Sequence, residues 1–404
     1  MPQLIIARVV AGLGGAGLGT LSSIVVSDLV PLSERSTYNG FANLVYGFGQ
    51  VIGAPIGGYL ADSVGWRFAF LIQCPITLIS LIVIKWKVTI PVSYISAKPS
   101  LRNVDFIGSG LLIVAIVSLL YVLQLVGSDY TLSSPAITGT IILSMISFNL
   151  FFYAESKVKN PIVLLNVILS RNPLLSGLTN FFGYMGSFAI MFNVPLFLQV
   201  VVGESASLAG SRLITYVIGM CFGSLTAGAL IRYTQRYYHT IISGVLFEIF
   251  GSITISTLQK SSPSWKYQLY MFPGGIGHGF ILSASLMAVI SSVGREEQAK
   301  ATSVSYLFRV FGGAFGISLT ASVNNFFLRN ELNKAFSGIE NKTELISSIL
   351  NSISMINKLP PHLATLAQNC YDNVIHKTFY LIILVQIISA CFAIFIKEYP
   401  LSRQ

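Results

Sequence analysis

Gly49-Gln50-Val51-Ile52-Gly53-Ala54-Pro55-Ile56-Gly57-Gly58 places a glycine at every fourth position inside a stretch without a single charge. On a helix this spacing sets Gly49, Gly53 and Gly57 on one face, where a neighbouring backbone can approach closely, while Pro55 removes a donor and can bend the axis. Such a stripe suits a helix surrounded by other helices and lipid. The whole chain has the matching composition: 53% hydrophobic and 10% charged over 404 residues, against roughly 25% charged in an average soluble domain. A water-soluble fold could not cover itself with so few charges.

Apolar runs long enough to cross about 30 Å of hydrocarbon recur throughout. Hydropathy predicts eleven helices near 4–26, 38–60, 68–84, 106–125, 135–154, 174–200, 213–231, 239–258, 268–291, 301–324 and 379–396. The first lacks a basic leader and a small-residue cleavage site, so it reads as a span and not a signal peptide.

Basic residues set the orientation. One alternate set of connections holds Arg35, Lys85, Lys87, Lys98, Arg102, Lys157, Lys159, Arg171, Arg232, Arg236, Arg295, Lys300, Lys397 and Arg403; the other short connections hold only Arg67, Arg212, Lys260 and Lys266. Fourteen against four places the first set in the cytosol. The net charge of +10 is therefore a mark of topology and not a nucleic-acid surface. The connection 325–378 then falls outside or in a lumen, where the sequon Asn341-Lys342-Thr343 could be glycosylated. Cys74, Cys221, Cys370 and Cys391 form no CxxC pair and have no histidine cluster, which excludes a disulfide framework and a zinc site. No catalytic constellation and no cofactor-binding loop is present in the sequence, so an enzyme is not expected.

The opening string resembles motif C, the antiporter signature of drug:proton antiporters of the major facilitator superfamily, with Ala54-Pro55 where that family has Gly-Pro. Arg8-Val-Val-Ala-Gly12-Leu-Gly14-Gly15-Ala-Gly17 resembles motif B of the preceding helix. The likeness continues through Pro31-Leu-Ser-Glu34-Arg35, Gly65-Trp66-Arg67-Phe68, Asp105-Phe-Ile-Gly108, Pro195-Leu-Phe-Leu-Gln199, and Ala301-Thr302 with Arg309, Gly312 and Gly313. It implies an all-α polytopic membrane protein of the major facilitator fold. Within the superfamily the chain resembles the fourteen-helix antiporters, with its first helix equivalent to their fourth. About eleven of fourteen helices are then present, and the N-terminal three are expected to be absent. Residues 1–86 would end the N-terminal six-helix bundle, 87–172 would carry two extra helices, and 173–404 would form the C-terminal bundle.

Ser27-Asp28-Leu-Val-Pro31-Leu-Ser-Glu34-Arg35, with Asn43-Leu-Val and the glycine string after it, is similar to fungal vacuolar basic amino acid transporters. That resemblance implies proton-coupled antiport of a small cationic solute, a basic amino acid, into the vacuole across its membrane. Two alternatives stand: a plasma-membrane multidrug:proton exporter, and a truncated, inactive transporter derivative.

Ionisable groups inside a bilayer are costly and mark function by default. Arg8 occupies the motif B arginine position, which the resemblance links to proton coupling; its plainer reading is a helix-end arginine snorkelling to the interface. Glu248 lies mid-span, where a desolvated carboxyl can load and release a proton or bind a cation, or can simply pair with a neighbouring helix. His278, in Gly274-Gly-Ile-Gly277-His278-Gly279, suits proton traffic or helix packing. Arg309 is a cavity residue or an interbundle structural partner. Asn193 and Gln199 flank Pro195, and polar groups beside a helix break can line a midplane cavity or hydrogen-bond between helices.

Overall fold

Hydrocarbon offers no partner to a backbone amide, so a chain this apolar must close its hydrogen bonds within each segment. The computed structural model describes residues 2–87, 105–127, 134–158, 161–163, 165–294, 297–337, 342–351, 355–356 and 359–401, and nearly all of these are helical. The order is α1 (Pro2–Leu29), α2 (Leu32–Ser63), α3 (Trp66–Leu71), α4 (Gln73–Lys87), α5 (Phe106–Val126), α6 (Pro135–Glu155), α7 (Leu165–Ile168) and α8 (Arg171–Phe197). There follow α9 (Ala206–Arg212), α10 (Ile214–Thr234), α11 (Tyr238–Ser256), α12 (Ser264–Leu269), α13 (Phe272–Ile290), α14 (Gln298–Ala335), α15 (Lys342–Asn351) and α16 (Pro361–Ile394). Helix α8 loosens into a π turn, Leu198–Val202, that ends at Gly203 with φ +85°. Pro195 sits just before this break.

Every one of the eleven predicted positions holds a helix, and ten among the described residues are long and apolar enough to cross a membrane. The remaining predicted position is held by α2, a continuous helix of 32 residues.

The segment 325–378, expected as a connecting loop, is instead largely helical among its described residues. Helix α14 runs on to Ala335, α15 follows, and α16 begins at Pro361. Leu328, Leu332 and Phe336 recur at four-residue spacing, and they pack with Ile349, Ala367 and Phe197 in one buried cluster. Polar residues between these positions lower the mean hydropathy and hide the periodicity from a span-length reading. Asn341 lies outside the described residues.

Helix α13 is the central post, with almost every residue from Gly274 to Ile290 buried. Its glycines let two helices touch its backbone. A β-carbon on Gly279 would lie 2.2 Å from the Met220 carbonyl oxygen of α10, and one on Gly277 would lie 2.5 Å from the Glu248 amide of α11. On the far side of α8, Gly312 and Gly316 of α14 meet the Phe181 and Met185 carbonyls in the same way.

The stripe that opened the sequence makes no such contact among the described residues. Added β-carbons at Gly49, Gly53 and Gly57 would meet nothing within 4 Å, whereas one at Gly40 would lie 3.2 Å from the Ser224 carbonyl oxygen of α10. The reason is helical phase: Gly40, Asn43 and Gly47 share the face turned to α10, and the four-residue series beginning at Gly49 projects elsewhere. Asn43 Nδ2 donates to Ser224 Oγ at 2.8 Å across this interface. Helices α1 and α2 also reach α14, through Ser23 with Tyr306 (3.0 Å) and Arg35 donating to Gln298 (2.8 Å). At the end of α16, Glu398 caps α11 by accepting from the Tyr237 amide at 2.7 Å, an anion at a helix N-terminus.

Replacing Gly279 by alanine should cost about 1–3 kcal/mol, because the new methyl group meets backbone that cannot rotate away. The same change at Gly53 should stay within about 0.5 kcal/mol. Thermal unfolding of the detergent-solubilised variants measures both, and equal melting temperatures would refute the contact assignment.

Candidate functional site

The contact between α11 and α13 at Gly277 brings the next residue of α13, His278, against Glu248. Both side chains are buried, and Glu248 is 1% exposed. His278 Nδ1 lies 3.3 Å from Glu248 Oε1, and Ser187 of α8 completes the group. The Ser187 hydroxyl donates to Glu248 Oε1 at 3.0 Å, and its oxygen lies 2.9 Å from His278 Nδ1. A serine has one proton. With that proton given to the carboxylate, the short nitrogen contact requires the hydrogen to sit on Nδ1. The second carboxyl oxygen, Oε2, makes no hydrogen bond among the described residues. It points to Gly183, 3.4 Å from where a β-carbon there would lie. Any larger residue at 183 would crowd it.

The hydrogen-bonded pair counts as one charged unit. Without a shared proton its charge is that of the carboxylate; with one proton it is neutral wherever the proton resides; with two it is cationic. In a low-dielectric interior these states differ greatly in what else the site can hold.

Tyr184 of α8 joins this pair to a second cluster. Its ring meets the His278 ring edge-on at 4.6 Å between centroids, and its other neighbour is Arg309 of α14, whose Cζ lies 5.8 Å from the same ring. Arg309 is 3% exposed. Its Nε donates to Asn180 Oδ1 at 3.3 Å, and its Nη2 donates to the Leu282 carbonyl at 2.8 Å and to Ser285 Oγ at 3.2 Å. Ser285 donates in turn to Asn180 at 2.9 Å. The Tyr306 ring lies 5.2 Å from the guanidinium, and its hydroxyl reaches Ser23 of α1.

Glu248, His278 and Arg309 are thus brought together around one tyrosine. The other sequence candidates are not. Arg8 is exposed on α1, with its guanidinium 5.6 Å from the Phe70 ring, and does not meet the pair. Asn193 belongs to a separate polar network in which Asn324 donates to it at 2.6 Å and Thr378 donates to Asn324 at 2.5 Å, tying α8, α14 and α16. Gln199 is half-buried in the π turn. Gly49, Gly53, Pro55, Gly57 and Gly58 all lie within α2, and β-carbons added at Gly49, Gly53 and Gly57 would meet none of these side chains. Sequence reading missed Ser187, Tyr184 and Asn180, because single serines, tyrosines and asparagines are ordinary in membrane helices. Only their helical phase relative to Glu248 and Arg309 distinguishes them.

The three-residue group makes a measurable claim about coupling. Glu248→Gln and His278→Gln, combined in a double-mutant cycle of thermal unfolding, should deviate from additivity by roughly 0.5–3 kcal/mol. Glu248→Gln combined with Asn193→Ala should add within about 0.5 kcal/mol. Additivity in the first cycle would break the pair.

The comparisons agree on the family. Residues 1–317 match the model of the Major Facilitator Superfamily. The chain is 34% identical over 406 residues to the multidrug resistance protein fnx1 of Schizosaccharomyces pombe, covering 99% of this chain and 76% of that protein. It is 32% identical to the vacuolar membrane amino acid uptake transporter fnx2 of the same yeast, covering 98% and 69% respectively. It is 33% identical to the vacuolar basic amino acid transporter 2 of Saccharomyces cerevisiae, covering 87% and 77%. The chain is a multi-pass membrane transporter, not an enzyme, and it belongs to the major facilitator superfamily.

Proposed function

We propose that this protein exchanges protons for a basic amino acid across the vacuolar membrane, with Glu248 and His278 carrying the proton. The observation that supports this most is the hydrogen-bonded carboxyl and imidazole buried between α11 and α13 in a transporter fold. Oε2 makes no hydrogen bond among the described residues, so the pair retains capacity for a proton or a cationic group. The amino acid and the vacuolar setting are supported by the names of the S. pombe and S. cerevisiae relatives. The proton role is assigned to the pair and not to Arg8, which the fold keeps apart from it.

In this reading residues 1–86 and 173–404 belong to two bundles that rock about a central cavity, and 87–172 supplies two accessory helices. Contacts of the kind that must break and re-form during alternating access run between them: Arg35 with Gln298, Asn43 with Ser224, and the exposed Glu34–Arg232 ion pair at 3.6 Å. Helices α5 and α6 pack on each other, and α5 packs on α14. A plasma-membrane multidrug exporter is the second reading, favoured by the name of the S. pombe relative fnx1.

Vesicles with an acid interior that contain the protein should accumulate lysine, arginine or histidine, and a protonophore should abolish the accumulation. Glu248→Gln should reduce pH-driven uptake to background. Uptake indifferent to the protonophore would remove proton coupling, and uptake of lipophilic cations in place of amino acids would favour the second reading.

A further inference from the structure

A buried guanidinium without a carboxylate is the unusual feature of this molecule. Removing a charge from water costs several kcal/mol, and proteins ordinarily offset this with an opposite charge. Arg309 has no ion-pair partner among the described residues. Its neighbours are a side-chain amide, a main-chain carbonyl, a hydroxyl and two tyrosine faces, all neutral. These groups hold the side chain in place without cancelling its charge. Two of its three nitrogens are engaged by them; the third, Nη1, makes no hydrogen bond among the described residues. The same Tyr184 ring that touches Arg309 also touches His278, so the fixed cation and the proton-carrying pair face one region of the interior.

From this we infer that Arg309 is the anchor for a carboxylate on the transported solute, and therefore that the solute is recognised as an amino acid and not merely as an amine. The inference rests on the transport reading above and adds a second point of attachment. The α-carboxylate pairs with the Nη1 side of Arg309, and a cationic group of the same molecule turns toward Glu248. A planar fork suits this task better than an ammonium, since it can donate two parallel bonds to a carboxylate while its remaining donors stay with the protein. The neutral cage is what the role requires: a resident carboxylate would compete with the solute.

A merely structural Arg309, stapling α8, α13 and α14, would affect every solute equally. The test therefore compares lysine with lysinamide, which keeps both amino groups and lacks the carboxylate. Wild-type protein in vesicles should prefer lysine over lysinamide by roughly ten- to hundredfold in uptake efficiency, the range expected for a charge-assisted hydrogen bond. Arg309→Gln should remove that preference by weakening lysine uptake while leaving lysinamide uptake within about twofold of wild type. Arg309→Lys, which keeps the charge and loses the fork, should fall between them. Equal loss of both solutes in Arg309→Gln, or no preference in the wild type, overturns the inference. If wild-type vesicles take up neither compound, the basic amino acid assignment fails, and Arg309 is then judged by ligand-induced thermal stabilisation of the purified protein. Lysine, leucine and glutamate are each compared with their amides in wild type and Arg309→Gln. A carboxylate preference that Arg309→Gln erases supports the anchor, and its absence from the whole panel overturns it.

Discussion

The distance between the backbones of α11 and α13 controls the rest of this structure. In a bilayer two apolar helices gain little by hiding from lipid, so they associate through close packing and hydrogen bonds. Close packing here needs glycine on the touching faces: α13 supplies it toward α10 with Gly275 and Gly279 and toward α11 with Gly277, and Gly251 of α11 supplies it where it meets the Gly274 backbone. A side chain at Gly277 would push α11 away, and the 3.3 Å contact between His278 and Glu248 would be lost with it. The packing and the polar site are one feature. The hydrogen bonds of Glu248 help offset its desolvation, and the helices can hold it there only because their backbones are in contact.

Much of the fold was legible from composition, because crossing a membrane imposes a length, an apolar run and a charge bias that single residues display openly. What was not legible depended on rotation. Gly49, Gly53 and Gly57 were read as a packing face from spacing alone, yet spacing says which residues share a face and nothing of what that face meets. Leu332 and Phe336 were hidden in a supposed loop because their neighbours are polar, although the pair lies in the buried outer cluster. For the site, Glu248, His278 and Arg309 each stood out as an ionisable group in an apolar run. That Ser187 and Tyr184 link them was invisible, since it requires knowing that α8 turns those two residues inward while Asn193, further along the same helix, joins Asn324 and Thr378.

The charge inventory of the interior explains why an acid, an imidazole and an unpaired arginine would be kept together in an exchanger. A carboxylate and a neutral imidazole carry one negative charge; adding one proton makes the pair neutral. A solute with one net positive charge, bound to the deprotonated pair, gives the same total as the protonated pair without solute. The two loaded states of an antiporter would then have equal net charge in a low-dielectric cavity, so electrostatic self-energy favours neither over the other. Arg309 shifts these totals equally and leaves the balance intact. A basic amino acid meets the condition only if its carboxylate is bound along with its cationic groups. A guanidinium caged by Asn180, Ser285 and the Leu282 carbonyl would provide for that binding with no carboxylate of its own to compete. On this reasoning, one bound proton and one bound cationic solute would be electrostatically interchangeable in the cavity, and the helix movements would only choose the side on which each is exchanged.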